Sequence, residues 1–366
     1  MVESVIKHSR PFDVDTPVRS RDNRWASYVY PAPVRRLAVP PVDRFKLLVV
    51  PDDGIGTIKS DGLEAYANEL ADEVVIHRDR PSAAEELLER CRDADGVVNI
   101  LSTSEFTREL MEQCPKLRIV SIWAAGVNNV DLDAAKELGI TIANTPGYGN
   151  IGVGEHTLAL MMAAARNVVN VDQRIRQGEW VKEPLVQLHG KTVGVVGAGP
   201  IAQRVMELCR LIGMKVVAWT LNPTPQRAAE YGVEFVELDD LCRSSDVVVT
   251  IIALSERTRH IIGREQLALM NPQAIIVNTG RGDLIDEEAL VEFLSEGRIR
   301  AAGLDVFSTE PLPAGHPYTK LDNVVLSSHV AAHTPETTLA GVKMALDNIA
   351  TFLEGNPQNV FSPGTR

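Results

Sequence analysis

The sequence predicts an α/β protein made of two doubly wound parallel-sheet units with a cleft between them. Three observations carry that expectation. Strand-like and helix-like segments alternate from Phe45 onward, the pattern of a parallel sheet wrapped in helices. The strand segments are near-continuous apolar runs, as expected when helices cover both sheet faces. The alternation gives way to a long apolar helical stretch and starts again at Lys191, and a chain of 366 residues has the length of two ordinary domains.

In chain order, residues 1–44 are rich in proline and arginine and show no sustained apolar period. They read as an N-terminal extension that drapes over a domain or stays mobile. A first domain over 45–150 starts with FKLLVVPDD at Phe45 and continues through the strands VVIHR, GVVNI, LRIVSI and ITIANT. Helical patterns such as SAAEELLERC and TRELMEQC separate them. The stretch GEHTLALMMAAARNVVNVDQRIRQGEW (154–180) has no Gly or Pro from Glu155 to Gln177 and reads as one long helix. Its Ala, Leu and Met content places it in a buried setting, between domains or at a subunit contact, with its methionines in a core. A second domain over 151–333 offers seven strands: KTVGVVGAG, KVVAW, VEFVE, DVVVTII, AIIVNTG, AAGLDVF and NVVLSS. The last helix, Pro335 to Leu353, is long enough for the segment 334–366 to return and complete the first domain. Clefts between such units are where small ligands bind.

Composition narrows the function classes. A formal net charge of −12 argues against a nucleic-acid partner, because no overall positive field captures phosphates. Cys91, Cys114, Cys209 and Cys242 are widely spaced, which fits buried free thiols in a reducing compartment better than disulfides or a zinc site. No apolar run approaches the length of a membrane span, and the N-terminus lacks the apolar core of a signal peptide. The expected location is the cytoplasm, with no membrane partner and no metal.

VGVVGAGPIAQRV (193–205) carries the strongest local signal. An apolar strand runs into Gly197-Ala-Gly199-Pro200-Ile201-Ala202 and then a helical pattern, matching the GxGxxA dinucleotide fingerprint. Gly197 allows the tight turn, Gly199 lets the backbone approach a pyrophosphate, and Ala202 lets helix and strand pack closely. The helix N-terminus then faces the phosphates. An acid about 20 residues on usually binds the ribose hydroxyls of NAD. Here the next strand ends in Trp219-Thr220-Leu-Asn222, with no acid. Thr220, Asn222 and Arg227 are compatible with a 2′-phosphate, so the expected cofactor is NADP, or NADP and NAD alike. A neutral residue there that still serves NAD is the alternative.

Three downstream segments put polar residues at strand ends: VNTGRGDLIDEEAL (277–290), GLDVFSTEPLP (303–313) and VVLSSHVAAHT (324–334). Carboxyl ends of strands face the ligand crevice of a doubly wound sheet, so Arg281, Glu310 and His329 converge. Reduction of a 2-keto acid needs a cation to grip the carboxylate and a proton for the carbonyl oxygen. A guanidinium does the first and an imidazole, oriented by a carboxylate, does the second. Alone, Arg281 reads as an ion-pair residue and Glu310 as a solvated loop acid. His156, His189, His260 and His316 read as structural. Arg281-Gly-Asp283 mimics an adhesion tripeptide, a reading rejected because it sits at a strand end.

From Phe45 to the C-terminal helix the chain resembles the D-isomer-specific 2-hydroxyacid dehydrogenases. The resemblance rests on GxGxxA, N-T-x-R-G-x-x-x-D-x-x-A-L, L-D-V-F-x-x-E-P-L-P and the final histidine loop. It implies a Rossmann cofactor domain and a flavodoxin-like substrate domain, a homodimer, and Arg281, Glu310 and His329 as the active-site trio. The resemblance thereby implies the functional reading of Arg281 and Glu310 and selects His329 over His333. It also implies that Asp305 holds the nicotinamide carboxamide. Ile252, Ala253, Thr258, Thr279, Gly280 and Ala331 are implied to line the cofactor groove. WAAGVNNVD (123–131) resembles the substrate loop, so Ala124, Ala125 and Gly126 are implied to meet the substrate, the last two through backbone N–H groups at its carboxylate. Substrates like glyoxylate and hydroxypyruvate are favoured.

Departures from the family pattern are informative. Ser328 replaces the proline usual before the histidine, and Thr220 stands where Asp is common. Leu101-Ser102-Thr103 replaces the basic residue of phosphoglycerate-type members, which weighs against a phosphorylated or second-acid substrate. Glu310 in place of glutamine weighs against formate. Two other functions share these residues: a cofactor-sensing corepressor-like interaction protein, and a phosphite-type dehydrogenase.

Overall fold

The structure, a computed structural model, describes residues 43–59 and 62–361. The expected extension 1–44 therefore lies outside the described residues, apart from its last two.

The first sheet has five strands, β1 (Phe45–Val50), β2 (Ala71–Ile76), β3 (Gly96–Ile100), β4 (Ile119–Trp123) and β5 (Thr141–Ala143). They pair in the order β2-β1-β3-β4-β5, and every pairing is parallel, the flavodoxin-like order. Side chains alternate across each strand, so Leu48 and Val50 face one core while Val49 faces the other. The helices are α1 (Leu63–Leu70), α2 (Ala84–Cys91), α3 (Arg108–Glu112) and α4 (Leu132–Glu137). In α2, Leu87 and Cys91 are the buried pair one turn apart, while Glu85, Glu86 and Arg90 complement the helix dipole.

The stretch read as one long helix is two, α5 (Asn150–Ala165) and α6 (Val168–Arg176). Asn167 between them adopts a left-handed backbone with φ 46°, a conformation asparagine tolerates better than most residues. The single-helix expectation fails because asparagine, like glycine, can interrupt a helix by adopting a left-handed backbone. Only α5 is buried: it packs against the second sheet with Met161 in the core, whereas α6 buries nothing.

The second sheet contains β6 (Thr192–Val196), β7 (Lys215–Trp219), β8 (Glu234–Phe235), β9 (Val247–Thr250), β10 (Ile275–Asn278), β11 (Ala301–Leu304) and β12 (Val324–Leu326). Its order, β12-β11-β10-β9-β6-β7-β8, is the Rossmann order with one more strand, all parallel. Strand order reverses between β6 and β9, the crevice where such sheets bind ligands. Helix α7 (Pro200–Leu211) shares one face with α5. The connections also include α8 (Pro225–Tyr231), α9 (Leu238–Ser244), α10 (Arg264–Leu269) and α11 (Glu287–Ser295).

Helix α12 (Pro335–Leu353) returns to the first sheet. Ser121 Oγ donates to Ala345 O at 2.8 Å and Asn348 Nδ2 to Asn144 O at 2.9 Å. Gly341 is required there, since a Cβ would lie 1.8 Å from Trp123 Nε1. The four cysteines are buried and free, and burial pushes every thiol up, to about 12 for Cys209 and Cys242.

Candidate active site

The turn after β6 is shaped for a dinucleotide. Gly197 has φ +129°, and a Cβ there would lie 2.3 Å from Ile251 O, so the reversal of strand order admits only glycine. Gly199 caps α7 without a side-chain hydrogen bond, and a Cβ built on it meets nothing within 4 Å. That leaves an open cradle before a twelve-residue helix started by Pro200, whose N-terminal N–H groups and dipole favour a pyrophosphate. Ala202 is fully buried against the sheet. The residues present thus fit the group that the fingerprint implies.

At the end of β7, Thr220 is almost buried and Asn222 exposed. Arg227 spans from Asn222 O (2.5 Å) to Ala198 O (3.3 Å), with its guanidinium near the Tyr231 and Phe235 rings. It therefore bridges the glycine turn and the strand end. Ile252 and Ala253 lie in the loop after β9. Thr258 is fully buried in the loop after β9, where its hydroxyl donates to Ala253 O at 2.7 Å while accepting from Ser255 N at 2.8 Å. Its side chain shapes that loop.

The loops after β10, β11 and β12 bring the trio to one cleft of about 1320 Å³. Arg281 Nη1 donates to Gly280 O at 2.7 Å, and its own carbonyl accepts from Asn278 Nδ2 at 2.9 Å. No carboxylate lies within ion-pair distance of it among the described residues, so its charge faces the cleft uncompensated. Gly280 is packed against Leu284 and Thr250 O. The neighbouring Gly282 was missed by sequence reasoning: a Cβ there would lie 1.9 Å from the Phe307 carbonyl carbon. That contact presses the Arg281 loop onto the Glu310 loop. Asp283, inside the 3-10 turn Gly282–Leu284, pairs with Arg259, so the adhesion-like tripeptide is folded into the sheet end.

Glu310 uses both oxygens: Oε1 accepts from Phe307 N at 3.0 Å and Oε2 lies 2.7 Å from His329 Nδ1. Carboxylate contact places the proton on Nδ1 and leaves Nε2 as the reactive nitrogen. His329 adopts φ 56°, a left-handed backbone in which histidine is enriched, and its N–H donates to Asp305 O at 2.8 Å.

Asp305 is fully buried yet lines the cleft. Burial alone would raise its carboxyl. Hydrogen bonds from His156, Ser327 and the N–H groups of Val330 and Ala331 outweigh that effect and hold it at about 2. Among the described residues, Oδ1 takes Ser327 and Val330, and Oδ2 takes only Ala331 N at 3.0 Å. Thr279 and Ala331 line the same cleft with Ile201. His333 and Ser328 stand exposed at its rim.

Ala124, Ala125 and Gly126 line the opposite wall. Their carbonyls are occupied, by Thr145 N, Asn144 Nδ2 and Ser102 Oγ respectively. Among the described residues the N–H groups of Ala125 and Gly126 have no partner, so they are free to meet an anion. Leu101 and Ser102, both with left-handed backbones, and Tyr148 complete this wall. Of these, Leu101 and Ser102 stand where the sequence lacks the basic residue of phosphoglycerate-type members, whereas Tyr148 gives no sequence signal.

The D-isomer specific 2-hydroxyacid dehydrogenase NAD-binding domain matches residues 158–331. A glyoxylate reductase of Aeropyrum pernix is 42% identical over 291 residues, covering 77% of this chain and 87% of that protein. This chain belongs to the D-isomer specific 2-hydroxyacid dehydrogenase family. A hydroxypyruvate reductase of Blautia hydrogenotrophica is 35% identical over 83% of this chain and 95% of its own length. The crystal structure of a glyoxylate reductase from Paecilomyes thermophila matches with TM-score 0.76 and 30% identity, covering 88% of this chain and 99% of that one. The dehydrogenase is thus an NAD(P)-dependent oxidoreductase acting on 2-hydroxy and 2-keto acids, as its motifs imply, and its reductase relatives disfavour the corepressor and phosphite readings.

Proposed function

We propose that this dehydrogenase reduces small 2-keto acids of the glyoxylate and hydroxypyruvate type to D-2-hydroxy acids, with Arg281, Glu310 and His329 as the working trio. One observation carries the reading: an uncompensated guanidinium and a carboxylate-bound imidazole face two unpartnered backbone N–H groups across one cleft. The bound nicotinamide cofactor supplies the hydride. Arg281 and the N–H groups of Ala125 and Gly126 hold the substrate carboxylate. The Nε2 proton of His329 goes to the carbonyl oxygen as the adjacent carbon is reduced, and Glu310 stabilises the ring through Nδ1. The free Oδ2 lone pairs of Asp305 orient the carboxamide. The region 45–150 with the C-terminal helix serves as substrate domain and 151–333 as cofactor domain.

NADP is the favoured cofactor, with NAD use retained. The support is that no acid stands at the end of β7 and that Arg227 bridges Ala198 and Asn222 beside Thr220. A homodimer in the cytoplasm is the proposed form. Val168, Ile175 and Trp180, exposed by 50%, 48% and 82% on and after α6, are the apolar surface that a second copy would cover. Initial rates at 340 nm with NADH and NADPH against glyoxylate, hydroxypyruvate, pyruvate and phenylpyruvate test the reading. Turnover of the first two, faster with NADPH, is expected. No turnover of any 2-keto acid contradicts it.

A further inference from the structure

We propose that His156 is a positioning residue for this reaction, holding the His329 loop and the Asp305 carboxylate in register from helix α5. The inference rests on the proposed roles of His329 and Asp305. Its observation is a directed chain of hydrogen bonds that the comparisons do not assign. Ser327 Oγ lies 2.6 Å from Asp305 Oδ1. A carboxylate only accepts, so the hydroxyl proton of Ser327 is committed to Asp305. His156 Nε2 lies 2.9 Å from the same Ser327 oxygen and 3.4 Å from Asp305 Oδ1. Facing two oxygens that need a donor, Nε2 must carry a proton. His156 therefore donates to Ser327, Ser327 donates to Asp305, and the direction of the chain is fixed.

The consequence falls on His329. Asp305 Oδ1 also accepts from Val330 N at 3.0 Å and Oδ2 from Ala331 N at 3.0 Å, while Asp305 O accepts from His329 N at 2.8 Å. One aspartate thus grips the loop on both sides of the imidazole, at Ser327 and at Val330. His156 is the one titratable side chain within hydrogen-bonding or ion-pair distance of that carboxylate among the described residues; Ser327 and backbone N–H groups supply the remaining bonds. The next residue on α5 serves the neighbouring loop. Thr157 Oγ1 donates to Val153 O at 2.7 Å, so at its 2.7 Å contact with Thr279 Oγ1 it must accept. Consecutive residues of one helix therefore brace the loops of His329 and Arg281. That helix follows the last strand of the first sheet and packs on the second, so it links the two walls of the cleft.

Misplacement of a reacting group by about 1 Å costs on the order of 100-fold in rate, and a partial loss of this chain falls below that limit. The test uses the full chain with His156→Leu, His156→Gln, Ser327→Ala and the double variant His156→Leu with Ser327→Ala. His156→Leu is expected to lower kcat for glyoxylate by about 10-fold or more and to weaken NADPH binding severalfold, read by cofactor fluorescence. KM for glyoxylate stays near wild type, because Arg281 and the Ala125 and Gly126 N–H groups are untouched. His156→Gln, which keeps an N–H donor, restores kcat. The double variant is no worse than the worse single variant, as members of one chain are non-additive. Wild-type kcat in His156→Leu, equal losses in the Leu and Gln variants, or additive effects in the double variant overturn the inference. Should the wild type turn over no 2-keto acid, the proposed function fails. The positioning role is then decided by NADPH affinity alone: loss in His156→Leu with recovery in His156→Gln supports it, and unchanged affinity overturns it.

Discussion

On the cleft wall formed by the seven-stranded sheet, the loops of Arg281, Glu310 and His329 each have a hydrogen-bonded partner. Glu310 holds His329, Phe307 N holds Glu310, and Asn278 holds the Arg281 backbone. The opposite wall leaves the N–H groups of Ala125 and Gly126 without a partner and carries left-handed backbones at Leu101 and Ser102. The first wall performs a reaction common to many substrates and is overdetermined. The second meets what differs between substrates: Thr145 N, Asn144 Nδ2 and Ser102 Oγ hold its carbonyls, while its N–H groups are left open to the ligand. That contrast explains why residues reveal the reaction class more readily than the substrate.

If the first wall is overdetermined, damage to its packing should do the greatest harm. Gly282→Ala drives a Cβ into the Phe307 backbone, with no flexible side chain to yield. It should cost more than about 4 kcal/mol, seen as a collapse in soluble yield or melting temperature; a near-native melt would show the two loops to be independent. Arg281→Lys keeps the charge but loses the planar fork. KM for glyoxylate should rise roughly 10- to 100-fold, in line with one charged hydrogen bond, and an unchanged KM would move the carboxylate elsewhere.

Asp305 tests the same bracing through pH. Its carboxyl is held at about 2 against an ordinary 3.8. A depressed acid adds stability above the unfolded value, and that stability is lost as pH falls from about 4 through 2. The contribution is about 2 kcal/mol at neutral pH. Urea midpoints of wild type and Asp305→Asn should differ most near pH 7 and converge towards pH 2; a constant gap would deny the linkage. The smallest effect belongs to the adenosine end, where Arg227 bridges the glycine turn and the end of β7. Thr220→Asp should shift preference from NADPH towards NADH by about 10-fold, the scale of one charge repulsion near the surface. No shift would remove Thr220 from the ribose site.

Much of this was legible in the sequence. Both sheets, all seven strands of the second and the limits of α12 follow from apolar runs and their spacing. The trio was legible because strand ends in a doubly wound sheet converge. The break at Asn167 was not, since its left-handed backbone depends on the fold around it. Nor were Gly282, whose neighbour Phe307 is 25 positions away, and His156, whose partners come from the loops after β11 and β12. Contacts between distant loops leave no periodic trace for a pattern to reveal.

The central claim is that His329 Nε2 delivers the proton while the cofactor is held by other residues. Single-turnover oxidation of bound NADPH by glyoxylate, followed at 340 nm in wild type and His329→Gln with cofactor affinity measured on the same samples, tests it directly. The account predicts a rate lower by about 10²- to 10⁴-fold with cofactor affinity unchanged. A wild-type rate in the variant, or a loss explained wholly by failure to bind cofactor, would contradict it.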